Sequence, residues 1–276
     1  MAVTIRSNIP SLEAQKNLDK TNTALQSSFN RLSSGLRIVT AADDAAGLAI
    51  SESMMTQIRS YTVAERNAQD AVSMLQTAEG ALGEIHSILG RLRELAIQSA
   101  NGSMTSTDRG FLSTEYEALK SEIARIQDAA KFNGKELLSA NVSTIQFQIG
   151  LDNTVSDQLA ITFGGFGLTA ITSVTNTIGG ATVGAALAAL SVIDNSLSTI
   201  SRERAKYGAS MNRLDITISS IQTMRLNLTA ANSRIRDVDV AMETSFLARN
   251  QVLAQAGVSV LSQANQIPQI ALNLLQ

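Results

Sequence analysis

Apolar side chains recur along this chain at helical spacing, over stretches much longer than an ordinary helix. Leu18, Leu25 and Leu32 stand seven apart within residues 11–36, with Phe29 and Leu36 filling in; this is a heptad stripe on a helix. From Asp44 to about Ser99 the repeat runs through Ile58, Tyr61, Ala68, Leu75, Leu82, Ile85, Leu89, Leu92 and Ala96 without a proline. At 1.5 Å per residue such a helix is roughly 80 Å long, so an elongated molecule is expected. Residues 101–108, NGSMTSTD, read as a turn offering Ser106, Thr107 and Asp108 as caps. Leu112, Tyr116, Leu119, Ile123, Ile126 and Ala130 then alternate spacings of four and three, which predicts a helix packed antiparallel on its predecessor.

The pattern changes between Leu138 and Ile193, where Asp152 and Asp157 are the only charges and Gly, Ser and Thr dominate. TIQFQIG and QLAITF alternate apolar and polar positions around LDNTVSD, the pattern of a β-hairpin. FGGFG and TIGGATVG read as loops, so a short insert at about 140–190 interrupts the helices. The helical signal returns in ten positions at three–four spacing: Leu190, Ile193, Leu197, Ile200, Arg204, Tyr207, Met211, Leu214, Ile218 and Ile221. Leu228, Ile235 and Met242 extend it by sevens toward the end. The fold class expected is mainly α, an antiparallel helical bundle or coiled coil with a small β-hairpin insert.

Composition narrows the function classes. Aromatics are 4% of residues, Trp is absent and Pro occurs only at positions 10 and 268, which suits thin helix-on-helix packing. A net charge of −2 with no basic run supplies no field for nucleic acid or an anionic membrane. The absence of cysteine excludes disulfides, thiolate metal sites and cysteine nucleophiles. The first residues have no apolar core of a secretory signal, so none is expected.

Searches for chemistry return decoys. His86 is the single histidine and has no second histidine to complete a zinc site. FNGKE, residues 132–136, lacks the first glycine and the Ser or Thr of a phosphate loop. ITFGGFGLTA matches a dinucleotide fingerprint, but no helix is expected to open at its glycines and no βαβ unit surrounds it. Asp43 and Asp44 are read as a helix start. No enzyme, no cofactor and no metal site are expected.

Two long segments resemble a known family. NRLSSGLRIVTAADDAAGLAISE near the start, and NSRIRDVDVAMETSFLARNQVLAQAGVSVLSQANQIPQ near the end, are similar to the signatures of bacterial flagellin. The likeness covers about the first 140 and last 90 residues. It departs at VTAA before Asp43, where the family commonly has a polar pair with a basic residue, and at the final Gln276.

The resemblance implies a discontinuous architecture: residues 1–43 with 236–276 as a terminal inner-core coiled coil, and 44–235 as an outer-core helical bundle carrying the insert. The form is minimal, without large outer domains. It implies a structural subunit that self-polymerises into the extracellular flagellar filament, the propeller of swimming motility, after type III export. A hook–filament junction-type axial protein is the alternative, told apart by copy number. A cytosolic adaptor, which heptads alone would allow, is disfavoured by the terminal signatures. Implied partners are further copies of the chain, an export chaperone, cap and hook-junction proteins, and the flagellin-sensing Toll-like receptor of an animal host. Arg91, Leu95 and Glu122 match the family's receptor contacts.

The expected polymer interface comprises Leu18, Leu25, Leu32, Val252, Val260, Ile267, Ile270 and Leu274. The final sixteen residues, LSQANQIPQIALNLLQ, hold five apolar positions at helical spacing and no charge. Burying five such side chains falls well short of the ordering entropy of sixteen residues, and an uncharged surface suits close packing. Both termini are therefore expected to be disordered in the free monomer and helical in the polymer.

Overall fold

The computed structural model describes residues 7–166, 168–173, 177–179 and 183–273, the side chains of 267–273 excepted. Within them the chain forms two compact units, residues 59–225 and the pair of segments 1–58 and 226–276. Helices α2 (Ala45–Ser99) and α5 (Val183–Arg236) each contribute to both.

In the 59–225 unit, α2 and α5 run antiparallel and are tied by ion pairs at intervals. Arg93 meets Asp194 at 2.7 Å, Arg204 meets Glu79 at 2.6 Å, and Arg225 meets Glu65 at 2.6 Å. Each step back along α2 is thus matched by a step forward along α5. Between these pairs lie the residues of the stripes. Ala68, Leu75, Leu82, Ile85, Leu89, Leu92 and Ala96 of α2 are fully buried, as are Ile193, Ile200 and Leu214 of α5. Arg204, the one polar member of the α5 stripe, lies at the edge of the core with its guanidinium on Glu79. α5 also contains an 18-residue window with a mean hydropathy of 1.4. Buried Ala186, Ala189, Ile193, Ser196 and Ile200 recur there every three or four residues, which marks one packing face of a bundle helix.

α3 (Ser106–Ala129) lies antiparallel on α2, with Arg91 reaching Glu115 at 2.8 Å and Tyr116 and Ile123 buried in the shared core. Its cap is Thr105, not Ser106 or Thr107. The Thr105 hydroxyl accepts from Asp108 N–H while the Asp108 carboxylate accepts from Thr105 N–H, a reciprocal capping box. Arg109, buried at 5% exposure, anchors the preceding turn by donating to the carbonyls of Ser99 and Asn101.

FNGKE is a miniature hairpin of β1 (Lys131–Phe132) and β2 (Lys135–Glu136). Asn133 and Gly134 turn it at φ 47° and 77°, the positive pair a type I′ turn requires. The predicted hairpin is β3 (Ser143–Gln148) against β4 (Gln158–Phe163), antiparallel from Ser143↔Phe163 to Gln148↔Gln158. Gly164 and Gly165 follow with positive φ. A helix does open beyond them, contrary to expectation, but α4 (Thr169–Thr172) is a single turn and leads into no further strand. Phe163, Phe166, Leu168, Ile171 and Ile178 from this insert are buried in the same core. α5 begins at Val183, seven residues before the stripe starts at Leu190, because the Ala-rich AALAALS favours helix and buries Ala186 and Ala189.

In the other unit α1 (Ile9–Ser34) pairs with α6 (Val240–Asn273). The expected extension of the α5 heptad to Met242 fails, since the helix breaks between Arg236 and Val240. Residues 237 and 238 instead join the segment after α1. Leu36 bridges Asp237, Arg37 N–H donates to the Arg236 carbonyl at 2.6 Å, and Val238 N–H donates to Gly35 at 3.1 Å. Asp239 then caps α6 by accepting from Ala241 and Met242 N–H.

Candidate assembly interface

The α1–α6 pair is stitched by Asn8 Nδ2 donating to the Ala264 carbonyl at 2.8 Å and by Ser11 Oγ to Asn265 Oδ1 at 2.8 Å. Its covered seam follows a strict three–four repeat on each helix. On α1 the covered residues are Ser11, Ala14, Leu18, Thr21, Leu25, Ser28 and Leu32; on α6 they are Glu243, Leu247, Asn250, Ala254, Gly257, Leu261 and Ala264. Small and polar side chains make up most of this seam. Five leucines are its only large apolar members, and further large apolar side chains stand outside it: Ile9 at 62% exposure, Phe29 at 64%, Val252 at 65% and Val260 at 58%, with Leu12, Phe246 and Val258 also exposed. Soluble single chains place large apolar groups in the opposite way, and contiguous exposed ones mark interaction surfaces.

Of the predicted interface residues, Leu18, Leu25 and Leu32 are half-buried in the intrachain seam, while Val252 and Val260 are exposed. Ile267 and Ile270 lie in α6, with side chains outside the described residues, and Leu274 is outside them altogether. The sequence reading did not single out exposed Ile9, Leu12, Phe246 and Val258, and it placed Phe29 in the leucine stripe, whereas Phe29 lies outside the seam at 64% exposure. A second apolar stripe offset from the leucine heptad was the signal that could have found them.

At the junction after α1, the Asp43 carboxylate accepts from Val39 N–H, Thr40 N–H, the Thr40 hydroxyl and Arg31 at 3.0 Å. These donors, the Thr40 backbone foremost and Arg31 next, hold its pKa down at about 2. Asp44 begins α2 by accepting from Gly47 N–H at 2.9 Å. A Cβ at Gly47 would press on the Asp44 carboxylate and the end of Ile38, so a larger residue there would displace the capping side chain. Asp44 is thus the helix start expected of the pair, whereas Asp43 instead holds the turn before it, its carboxylate drawn back to Val39, Thr40 and Arg31.

The three residues matched to receptor contacts differ in access. Arg91 is half-exposed between Glu115 and Glu94, whose hydrogen bonds raise its pKa. Glu122 is held by both guanidinium nitrogens of Arg125, which lowers its pKa. Leu95 is buried at 1% exposure, so it supports the surface from beneath. Among the described residues no His, Asp and Glu cluster could hold a metal ion.

Known proteins place this arrangement. Residues 5–143 match the bacterial flagellin N-terminal helical region, and residues 190–275 match the C-terminal helical region. Flagellin of Halalkalibacterium halodurans is 44% identical over 99% of both chains, and flagellin of Bacillus subtilis 42% identical over 99% of both. The crystal structure of Bacillus cereus flagellin, 32% identical, aligns with a TM-score of 0.51 over 60% of this chain and 94% of its own. A putative flagellar hook-associated protein from Vibrio parahaemolyticus aligns at a TM-score of 0.63 over 71% of this chain and all of its own, but at 15% identity it shares the fold alone. With both terminal helical regions matched and relatives aligned end to end, the chain belongs to the bacterial flagellin family.

Proposed function

We propose that the exposed apolar face of the α1–α6 pair is the surface through which copies of this chain polymerise. The chain is a structural subunit of the flagellar filament, so further copies of itself are its natural partners. The observation that carries the reading is the set of large apolar side chains left exposed on this pair, Ile9, Leu12, Phe29, Val252 and Val260, beside a seam in which small and polar residues outnumber the leucines. Neighbouring subunits cover those side chains; the same role is proposed for Ile267, Ile270 and Leu274 on their apolar character alone. Residues 1–43 and 236–276 form the inner layer of the filament, and 44–235 the outer layer. Because the seam is thin, the pair is ordered mainly by assembly.

Swimming motility and secretion through the type III apparatus complete this reading. So do an export chaperone, cap and hook-junction partners, and a host Toll-like receptor reading Arg91 and Glu122. The subunit performs no catalysis. The test is Val252→Ser combined with Val260→Ser, followed by electron microscopy of polymerised protein. Soluble monomers with unchanged helical content and few filaments are expected, whereas filaments of normal length overturn the interface. Amide exchange on the monomer reads the ordering directly, and strong protection of residues 255–273 before assembly contradicts it.

A further inference from the structure

A groove of about 500 Å³ runs between β4 and α5, lined by Ala160, Thr162 and Gly164 on one side and Tyr207, Ser210 and Arg213 on the other. The β4 side is an open strand edge. Ile149 N–H donates to the Asp157 carbonyl, and in that register Leu159, Ile161 and Phe163 exchange their bonds with β3. The N–H and C=O groups of Ala160 and Thr162 therefore point away from β3, into the groove. The α5 side is rich in donors. Tyr207 floors the groove at 2% exposure, its ring 5.5 Å from that of Phe163 and its hydroxyl oxygen buried, with no partner among the described residues. Arg213 is exposed, and no ion pair engages it among the described residues. An open edge beside an exposed arginine fits an extended polypeptide that pairs with the strand and brings a carboxylate.

We propose that this groove receives residues 151–155 of a second copy of the chain, with Asp152 meeting Arg213 and Val155 covered against the groove. The inference rests on the filament reading and adds a contact in the outer unit. Val155 is 91% exposed, the highest value among the described large apolar residues. Asp152 lies beside it with no ion pair. The two surfaces occupy opposite ends of one hairpin: Asn67 donates to the Gln148 carbonyl at the tip, and Phe163 meets Tyr207 at the base. Ile149 and Gly150 N–H both donate to the Asp157 carbonyl, which closes the loop onto the hairpin tip, so residues 151–155 cannot lie along the β4 edge that follows them in the same chain. A contact between unlike surfaces of identical subunits is heterologous and can repeat without closing, which is the geometry of a filament.

The chain has no native cysteine, so Val155→Cys with Ala209→Cys tests the contact cleanly. Oxidised filaments of the double variant should give a covalent ladder of trimers and larger species on a denaturing gel. Dilute monomer and either single variant should give nothing beyond dimer. Intact filaments without a ladder overturn the proposal while leaving the filament reading standing; unmodified chain that never polymerises defeats both. Charge exchange supplies a second readout. Asp152→Arg and Arg213→Asp should each raise the critical concentration about tenfold, and the two together should return it to within about twofold of the original. Singles that assemble normally, or a double variant no better than the singles, reject the pairing.

Discussion

Leu18 of α1 lies over Gly257 of α6 so closely that a Cβ at position 257 would stand 3.2 Å from Leu18 Cδ1. The glycine sits inside a helix, where it costs about 1 kcal/mol relative to alanine; its value is the close approach it gives two helices with a thin seam. Gly257→Ala should be tolerated, since the end of the leucine side chain can shift by a few tenths of an ångström. Gly257→Val should separate the helices and cost about 1–3 kcal/mol of pairing. Filament melting by circular dichroism should fall for valine and hold for alanine.

Asp43 predicts an acid-sensitive joint after α1. Its pKa is depressed from 3.8 to about 2, so its stabilising effect is fully present above about pH 4 and is lost as pH falls through 2. Partial exposure limits the effect to about 1 kcal/mol. Asp43→Asn should remove this part of the acid dependence between pH 4 and 2 while lowering stability at pH 7. Thermal melts across that range, compared with those of the unchanged chain, would expose a slope that does not depend on Asp43.

Glu65 accepts from Gln222 at 2.7 Å and from Arg225 at 2.6 Å, with its side chain only 11% exposed. Truncation to alanine leaves both donors without this acceptor in a partly buried position. A loss of about 1–3 kcal/mol is expected for Glu65→Ala, against a smaller one for an exposed pair such as Arg125–Glu122. Denaturant unfolding of both variants makes the comparison, and equal losses would refute the ranking.

The unpartnered Tyr207 hydroxyl should be a liability in the monomer. Burial raises its pKa, with Glu203 adding to the effect, so the phenol stays protonated through the ordinary pH range. Tyr207→Phe should leave monomer stability unchanged or raise it by up to about 1–2 kcal/mol. Because the oxygen itself is buried, the same variant should leave assembly unchanged. Monomer unfolding and critical concentration measured together check both outcomes.

Much of the fold was legible because burial in the long helices follows local periodicity. Every member of the ten-position α5 stripe is buried or half-buried. The β3–β4 hairpin likewise follows from alternation and a polar loop. The break at 237–239 was not legible: it contains no Gly or Pro, and its conformation is held by Gly35, Leu36 and Arg37 across the chain. The Thr105 cap was missed by one residue, although its partner Asp108 was among those proposed.

The sequence by itself determined the helices, the hairpin, the absence of cysteine chemistry and the family, since periodicity, composition and long motifs are properties of residues near one another in the chain. Only the tertiary structure decided which face of α1 meets α6, that Leu95 is buried, and that Val252, Val260 and Val155 face outward. Those outcomes depend on which surfaces meet across distant segments. A heptad of leucines reads the same whether its partner is a large apolar stripe or, as here, a row headed by Asn250, Ala254 and Gly257.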